Sequence, residues 1–226
     1  MTSPGPAGYY DSQLTRALCV RDMTSGGYTL FDIHASLRWP ALKHPGGWAC
    51  REEELLQLLR HHADEDIKRE LCMMCADYSG DDYVNCYLRP LNLWLRTDVS
   101  DGSLRRQQCF HSAIVSQWER LALASQRHST VPLFLEAVSV TDETEIGMEA
   151  IRLNGQGFRV EVAAVASGKP VVAHRRFEHH LMWCSDGITP LMNAAYQSML
   201  EAGQPVMRTG TDTRLKAEEE VLAVSA

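Results

Sequence analysis

The sequence predicts an α+β fold in which helices come first and strands follow. Apolar residues recur at helical spacing through much of residues 9–127, whereas short runs rich in Val, Leu and Phe follow Arg127 and are typical of strands. With 226 residues, 45% of them hydrophobic, the chain can bury a substantial core. We expect a disordered, Pro/Gly-rich leader at residues 1–8 and a single domain over residues 9–226, with a helical part at 9–127 and a strand-rich part at 128–226.

The helical part contains five predicted helices. The clearest covers residues 51–63, where four leucines lie on one side and the acidic residues 52–54 favour the N-terminal turn. Ser79 or Asp81 can cap a helix that ends before Pro90, because proline breaks a helix interior. The other predicted helices cover residues 9–22, a stretch that starts at Asp64, and residues 107–127, while residues 28–37 are ambiguous between helix and strand.

The strand-rich part is punctuated by turn residues. The segment Asn154-Gly155-Gln156-Gly157 contains G-x-G but lacks the full dinucleotide-binding pattern, so it favours a hairpin turn between two strands. The predicted strands cover residues 131–140, 157–166, 171–177, 180–184, 205–207 and 219–224, and a predicted helix at residues 190–201 interrupts them.

The overall composition restricts the partners and the compartment. The formal net charge is −7 and no cationic stripe is visible, so we do not expect nucleic acid as a partner. No apolar run approaches the length of a membrane span, so we do not expect a membrane partner either. The seven cysteines are odd in number and scattered, and no signal peptide precedes them. This pattern predicts free thiols in a cytoplasmic protein, or in one secreted without a classical signal.

Cysteine and histidine pairs offer only weak metal sites. Cys72 and Cys75 form one C-x-x-C, and a structural zinc site needs about four ligands. Both thiols continue an apolar helix face, so a packing role is the better interpretation and no metal is predicted. The adjacent pairs His61-His62 and His179-His180 point their side chains apart and are expected to be solvated or partly packed.

Two short motifs together resemble the mono-ADP-ribosyltransferases. The stretch at residues 77–89, with Tyr83, Asn85 and the pair Leu88-Arg89, is similar to the helix signature of that family. Near the end of the sequence, residues 218–222 read Glu-Glu-Glu-Val-Leu, which resembles the E-x-E strand of the arginine-directed branch. The order also agrees, because helices and the first motif precede the strands and the E-x-E motif.

The resemblance implies both a fold and a chemistry. The implied fold is a split, strongly bent, mainly antiparallel β-sheet that cradles NAD, with helices at one end. The implied activity transfers ADP-ribose from NAD, which is a substrate here, to a side chain of an acceptor protein. A carboxylate close to the reacting ribose would stabilise the developing cationic charge.

The family's functional residues carry over to two groups of positions. Glu220 would be the catalytic glutamate, Glu218 would orient the acceptor, and Ser185 would take the serine position of the next core strand. The cofactor-binding group would consist of Tyr83, Asn85, Arg89 and Arg152.

One departure from the family leaves three functions open. Glu136 stands where the family has a phosphate-binding arginine, and a carboxylate would repel a pyrophosphate. An active transferase would therefore need another arginine there, such as Arg152, Arg159, Arg175 or Arg176. The alternatives are a catalytically inactive relative that keeps the fold as a binding surface, and an unrelated α+β interaction domain.

Overall fold

The computed structural model describes residues 11–38, 46–127, 129–140, 142–171, 177–185 and 187–210. The chain divides into two compact units, residues 1–61 and residues 62–226. The prediction of one domain over residues 9–226 stays a prediction. The predicted leader at residues 1–8 and the predicted strand at residues 219–224 lie outside the described residues, as do residues 172–176 of the predicted strand at 171–177.

The first unit is helical and is held by polar contacts at its helix ends. It contains α1 (Asp11–Ser25), α2 (Leu30–Arg38) and α3 (Trp48–His61). Asp32 accepts hydrogen bonds from the Thr29 backbone N–H at 3.0 Å and from Arg51 Nη2 at 2.9 Å. The Trp48 indole N–H donates to the Ser25 carbonyl at 2.7 Å. The stretch that was ambiguous in sequence is a helix, and Thr29 caps its start, because the Thr29 hydroxyl oxygen also accepts the Asp32 backbone N–H at 3.2 Å.

The second unit opens with α4 (Asp64–Asp77), followed by one continuous helix built from three segments. These are α5 (Gly80–Asp82), the π-helix π1 (Tyr83–Leu88) and α6 (Arg89–Thr97). The Arg89 backbone N–H bonds to the Val84 carbonyl, five residues back, which is the π-helical pattern. The predicted end before Pro90 is wrong, because the helix continues through the proline, which closely follows the widened π-helical segment.

The sheet follows the long helix α7 (Ser103–Ser125) and is entirely parallel. Its strands are β1 (Val131–Ser139), β2 (Phe158–Ala163), β3 (His179–Cys184) and β4 (Val206–Thr209), in the order β2-β1-β3-β4. The prediction of a mainly antiparallel, split and bent sheet is therefore wrong. The described residues form a parallel sheet with crossover helices, which is an α/β arrangement.

The mainly antiparallel sheet was implied by the family resemblance, and a helix that the sequence patterns did not reveal shows why it is wrong. Residues 143–155 form α8 (Glu143–Gly155), which connects β1 to β2, and a helical crossover makes its two strands parallel. The Asp142 carboxylate accepts the Thr144 backbone N–H at 3.0 Å and begins the helix, while Ile146, Ala150 and Leu153 pack on the sheet at helical spacing. The predicted hairpin turn at Asn154–Gly157 is wrong, because it is the C-terminal turn of α8.

Two helices cover opposite faces of the sheet. On one face α8 packs on β1 and β2, in a core that contains Leu133, Leu135 and Val160. On the other face α9 (Pro190–Glu201), which connects β3 to β4, contributes Met192 to a second core with Val138 and Met182. Both crossover helices begin at the carboxyl edge of the sheet, since each one follows the end of a strand.

Candidate functional site

The carboxyl edge between β1 and β3 is the topological switch point of this sheet. The chain leaves β1 toward β2 on one side, and β3 lies on the other side of β1. Ligands of open parallel sheets bind at such points, because the diverging connections leave a crevice there. The Ser139 hydroxyl donates to the Gly187 carbonyl and the Ser185 backbone N–H donates to the Ser139 carbonyl at 3.2 Å. These bonds fix the two strand ends side by side.

Asp142 is held at this edge by two elements. Its Oδ1 accepts the Thr144 backbone N–H at 3.0 Å, and its Oδ2 accepts Asn92 Nδ2 from α6 at 2.6 Å. The carboxylate therefore occupies the first turn of α8, the position that an anionic ligand would otherwise take. A second anion there would be repelled, whereas hydroxyl groups and cations would be attracted.

Glu145 adds a second carboxylate one turn into α8. Its Oε2 accepts the Ser185 hydroxyl at 2.8 Å. Arg96 Nη1 of α6 lies 3.5 Å from Glu145 Oε1 and 3.8 Å from Asp142 Oδ2, beyond ordinary hydrogen-bond length. The Arg96 side chain is 44% exposed. The arginine is therefore loosely associated with both carboxylates and remains accessible.

His111 of α7 is a further polar residue beside the first turn of α8. Its Nδ1 lies 3.1 Å from the Thr144 hydroxyl, and the direction of that hydrogen bond depends on the histidine tautomer. A cavity of about 600 Å³ opens beside these groups. Its polar lining includes Asn92, Arg96, Gln107, His111, Asp142 and Thr144. We call this cavity, together with Glu145 and Ser185, the edge cleft.

A smaller cavity continues the edge cleft inward between α6 and α8. It measures about 190 Å³, shares the lining residues Asn92 and Arg96 with the larger cavity, and is also lined by Glu145. Its inner lining includes Trp183 of β3, and the Arg89 guanidinium carbon lies 5.5 Å from the centre of that indole ring. An aromatic surface is therefore present next to the polar groups.

Among the predicted catalytic residues, Ser185 is the one within the described residues, and its hydroxyl donates to Glu145. Glu218 and Glu220 lie outside the described residues, as do Arg175 and Arg176. The roles assigned to the two glutamates therefore stay predictions.

Of the predicted cofactor-binding residues, Arg89 lines the smaller cavity, and Tyr83, Asn85 and Arg152 line neither of these two cavities. Tyr83 is fully buried, and its hydroxyl donates to Gln117 Oε1 at 2.8 Å and lies 3.1 Å from the Leu71 carbonyl. Burial raises the pKa of the Tyr83 hydroxyl well above its usual value, so the group stays protonated. Tyr83 therefore packs inside the second unit, and its predicted role beside a cofactor stays a prediction.

Arg89 and Arg152 belong to an ion-pair network around a buried glutamate. Glu149 is fully buried and accepts Arg89 Nη2 at 2.8 Å and Arg152 Nη2 at 2.6 Å. Asn85 accepts a second hydrogen bond from Arg89, and Asp81 lies 2.8 Å from Arg152 Nη1. These contacts give both arginines structural partners between the continuous helix and α8.

Glu136, which stands at the expected arginine position, points away from the edge cleft. It is 1% exposed and accepts the Val171 backbone N–H at 2.8 Å. Its other oxygen lies 2.9 Å from His180 Nε2. Glu136 is therefore a buried partner of His180 on the α9 face, and it does not confront a ligand in the cleft.

The cysteine prediction needs one correction. Cys75 is partly buried, as a packing role requires, but Cys72 is exposed and does not continue the buried face. Burial raises the pKa of the Cys75 thiol, which keeps it protonated. Across the described part of the chain, no group of three or more His, Cys, Asp or Glu residues is arranged to hold a metal ion.

Five residues of the edge cleft were not predicted from the sequence, namely Asn92, Arg96, His111, Asp142 and Glu145. One signal was available, since an Asp directly after an apolar strand run and ahead of Glu143 and Glu145 is typical of a helix start. It would have placed Asp142 at the carboxyl edge. Asn92, Arg96 and His111 reach the cleft only through the packing of α6 and α7 against α8, which no local pattern records.

Comparison of the chain with known protein families, with curated proteins and with solved structures gave no match. The resemblance to ADP-ribosyltransferases therefore rests on its two motifs. Within the described residues, none of the helices has the length and apolar character needed to cross a membrane.

Proposed function

We propose that the second unit binds a small, hydroxyl-rich molecule in the edge cleft, and that the nicotinamide-riboside half of NAD has the matching chemistry. The observation that carries this proposal is the open cavity beside the first turn of α8, which Asp142 and Glu143 line, with the carboxylate of Glu145 in the smaller neighbouring cavity. Sugar hydroxyls donate to carboxylates and accept from amide and guanidinium groups, which Asn92 and Arg96 supply.

The charge of the cleft favours a riboside over a phosphate. Asp142 already fills the N-terminal turn of α8, so a phosphate at that position would meet a carboxylate. Nicotinamide riboside carries ring hydroxyls and a positive charge but no phosphate. It therefore complements two carboxylates in a way that a phosphorylated sugar does not.

Isothermal titration calorimetry with nicotinamide riboside tests this proposal. We expect binding by the wild-type chain and at least about tenfold weaker binding by Glu145→Gln, because a hydrogen bond to a charged acceptor contributes about 1.5–3 kcal/mol. Glu119→Gln is the matched control, since Glu119 is exposed on α7 away from the cleft. Ribose 5-phosphate should bind more weakly than the riboside.

Two results would overturn the proposal. The first is the absence of riboside binding by the wild-type chain at millimolar concentration. The second is equal affinity in the wild-type chain and Glu145→Gln. Tighter binding of ribose 5-phosphate would refute the charge argument alone.

The second candidate function is the transfer of ADP-ribose from NAD to a side chain of an acceptor protein. Its support is the position of Ser185, which carries over from the resemblance and lies in the edge cleft, bonded to Glu145. The test compares nicotinamide release from NAD by the wild-type chain and by Glu220→Ala. Loss of turnover in the variant supports the transferase, and equal or absent turnover removes it. All seven cysteines are free thiols, which suits a cytoplasmic setting for either function.

A further inference from the structure

One part of the sheet face under α8 is left uncovered by the described helices of the second unit. The crossover helix α9 packs on the opposite face of β3 and β4, with Met192 against Met182 and Val206. On the α8 face, Leu181 of β3 pairs in register with Met207 of β4, so the two side chains lie next to each other. Met207 is 59% exposed. A groove therefore runs beside α8 over the β3–β4 half of the sheet.

The groove is a sizeable, mainly apolar cavity that is separate from the edge cleft. Its volume is about 450 Å³, within the range of small-molecule sites. Its apolar lining consists of Leu133, Leu153, Phe158, Leu181, Pro205, Val206 and Met207. We call it the sheet groove.

The charged groups at the rim of the sheet groove favour an anion. Glu149 also lines the groove, but its side chain is fully buried, whereas the Arg152 side chain is 22% exposed. Three of the five guanidinium N–H groups of Arg152 bond to Glu149 and Asp81, which leaves two donors without a partner in the described residues. His179 is exposed at the same rim, where its ring meets Phe158 edge-on at 5.8 Å. Arg152 therefore presents these two donors at the groove, and the exposed ring of His179 can also donate, depending on its tautomer.

We propose that the sheet groove binds a small apolar carboxylate, such as a medium-chain fatty acid. The hydrocarbon chain lies on Leu181 and Met207, and the carboxylate accepts hydrogen bonds from Arg152 and His179. Burial of the hydrocarbon chain supplies most of the affinity, since the transfer of apolar surface out of water is favourable. The site is independent of the riboside proposal, because it shares no residue with the edge cleft.

The experiment measures binding of decanoate to the full chain by calorimetry. Met207→Trp fills the groove from an exposed position, and Met73→Trp is the matched control on α4, where Met73 is 49% exposed. We expect at least tenfold weaker decanoate binding in Met207→Trp and unchanged binding in Met73→Trp. Decanol, which has the same chain without the charge, should bind at least fivefold more weakly than decanoate.

Every outcome decides part of the proposal. Absence of decanoate binding, or equal loss in both tryptophan variants, overturns the site. Equal affinity for decanol and decanoate overturns the proposed recognition of the carboxylate group. Sedimentation of the same samples identifies another occupant: a wild-type dimer that Met207→Trp dissociates, without decanoate binding, assigns the groove to a second copy of the chain.

Discussion

Glu145 and Glu149 lie one turn apart on α8 and face two arginines of α6, yet their surroundings differ. Glu149 is fully buried, and its oxygens lie 2.6 Å and 2.8 Å from Arg152 and Arg89. The Glu145 side chain is 19% exposed, its nearest arginine atom lies at 3.5 Å, and it accepts a hydrogen bond from Ser185. The glutamate–arginine contact is thus buried and tightly hydrogen-bonded at Glu149, and longer and partly exposed at Glu145. We call the first contact closed and the second open.

The difference separates a structural ion pair from a candidate binding group. A buried charge must keep its partners, because losing them leaves the charge uncompensated. An exposed, loosely paired charge contributes little to stability and can exchange its partner for a ligand at small cost. Position in the fold sets which case applies: Glu149 lies over the middle of the sheet, and Glu145 lies at its carboxyl edge.

The largest expected effect is the loss of stability in Glu149→Ala. We expect the free energy of unfolding to fall by about 2 kcal/mol, less than for a fully buried pair because Arg89 and Arg152 are partly exposed. Glu145→Ala, on the same helix one turn away, should cost less than about 1 kcal/mol. Urea denaturation of both variants measures the difference. Equal losses of unfolding free energy would show that the closed and open contacts contribute equally to stability.

The next effect concerns the motif segment that precedes α6. Tyr83→Phe should lower the free energy of unfolding by about 1.5 kcal/mol, because Gln117 and the Leu71 carbonyl lose a buried hydrogen-bond donor. Riboside binding should be unchanged, since Tyr83 does not line the edge cleft. Calorimetry on the folded variant checks the second statement. A loss of riboside binding without a loss of stability would return Tyr83 to the binding role predicted from the motif.

These contrasts also show what local sequence patterns can predict. The helix at residues 190–201 was predicted with the bounds it has, since Thr189 caps it and Pro190 suits its first turn. The strand at residues 131–140 ends one residue earlier in the structure. Both elements carry their own start and stop signals. Pro90 was misjudged because a π-helical segment before it changes the local geometry, and that widening has no sequence signature of its own.

The predictions of the topology and of the site both depended on how residues 143–155 were interpreted. Residues 143–155 are rich in both acidic and apolar residues, and reading their end as a hairpin turned a parallel pair into an antiparallel one. The edge cleft was lost with it, since Asp142 and Glu145 belong to α8. Its other groups come from α6 and α7, so only tertiary packing brings them together.

A smaller effect should separate the two arginines of α6. Arg89→Ala should cost about 1 kcal/mol, because Glu149 keeps Arg152 as a partner but loses one charged hydrogen bond. Arg96→Ala should change stability by less than about 0.5 kcal/mol and should weaken riboside binding instead. Thermal unfolding and calorimetry on the same preparations give both quantities. A larger stability loss in Arg96→Ala would mean that the contacts of Arg96 with Asp142 and Glu145 also stabilise the fold.

The smallest expected effect is the pH dependence of stability that arises from Asp81, the exposed carboxylate bonded to Arg152. Hydrogen bonds from Arg152, and then from Gln156, hold the pKa of the Asp81 carboxyl below its usual value. A carboxyl with a lowered pKa in the folded state stabilises the fold above its unfolded pKa of about 3.9, and this contribution is lost as the pH falls through the lower folded value. Wild type should therefore have a higher urea midpoint than Asp81→Asn at pH 7, and the two midpoints should converge toward pH 3.

The control is Asp77→Asn, which also removes one negative charge, because Asp77 is exposed at the end of α4. Because the Asp81 side chain is 53% exposed, the difference should be smaller than that for Glu149→Ala, and a gap that persists at pH 3 would place the Asp81 contribution outside its charge.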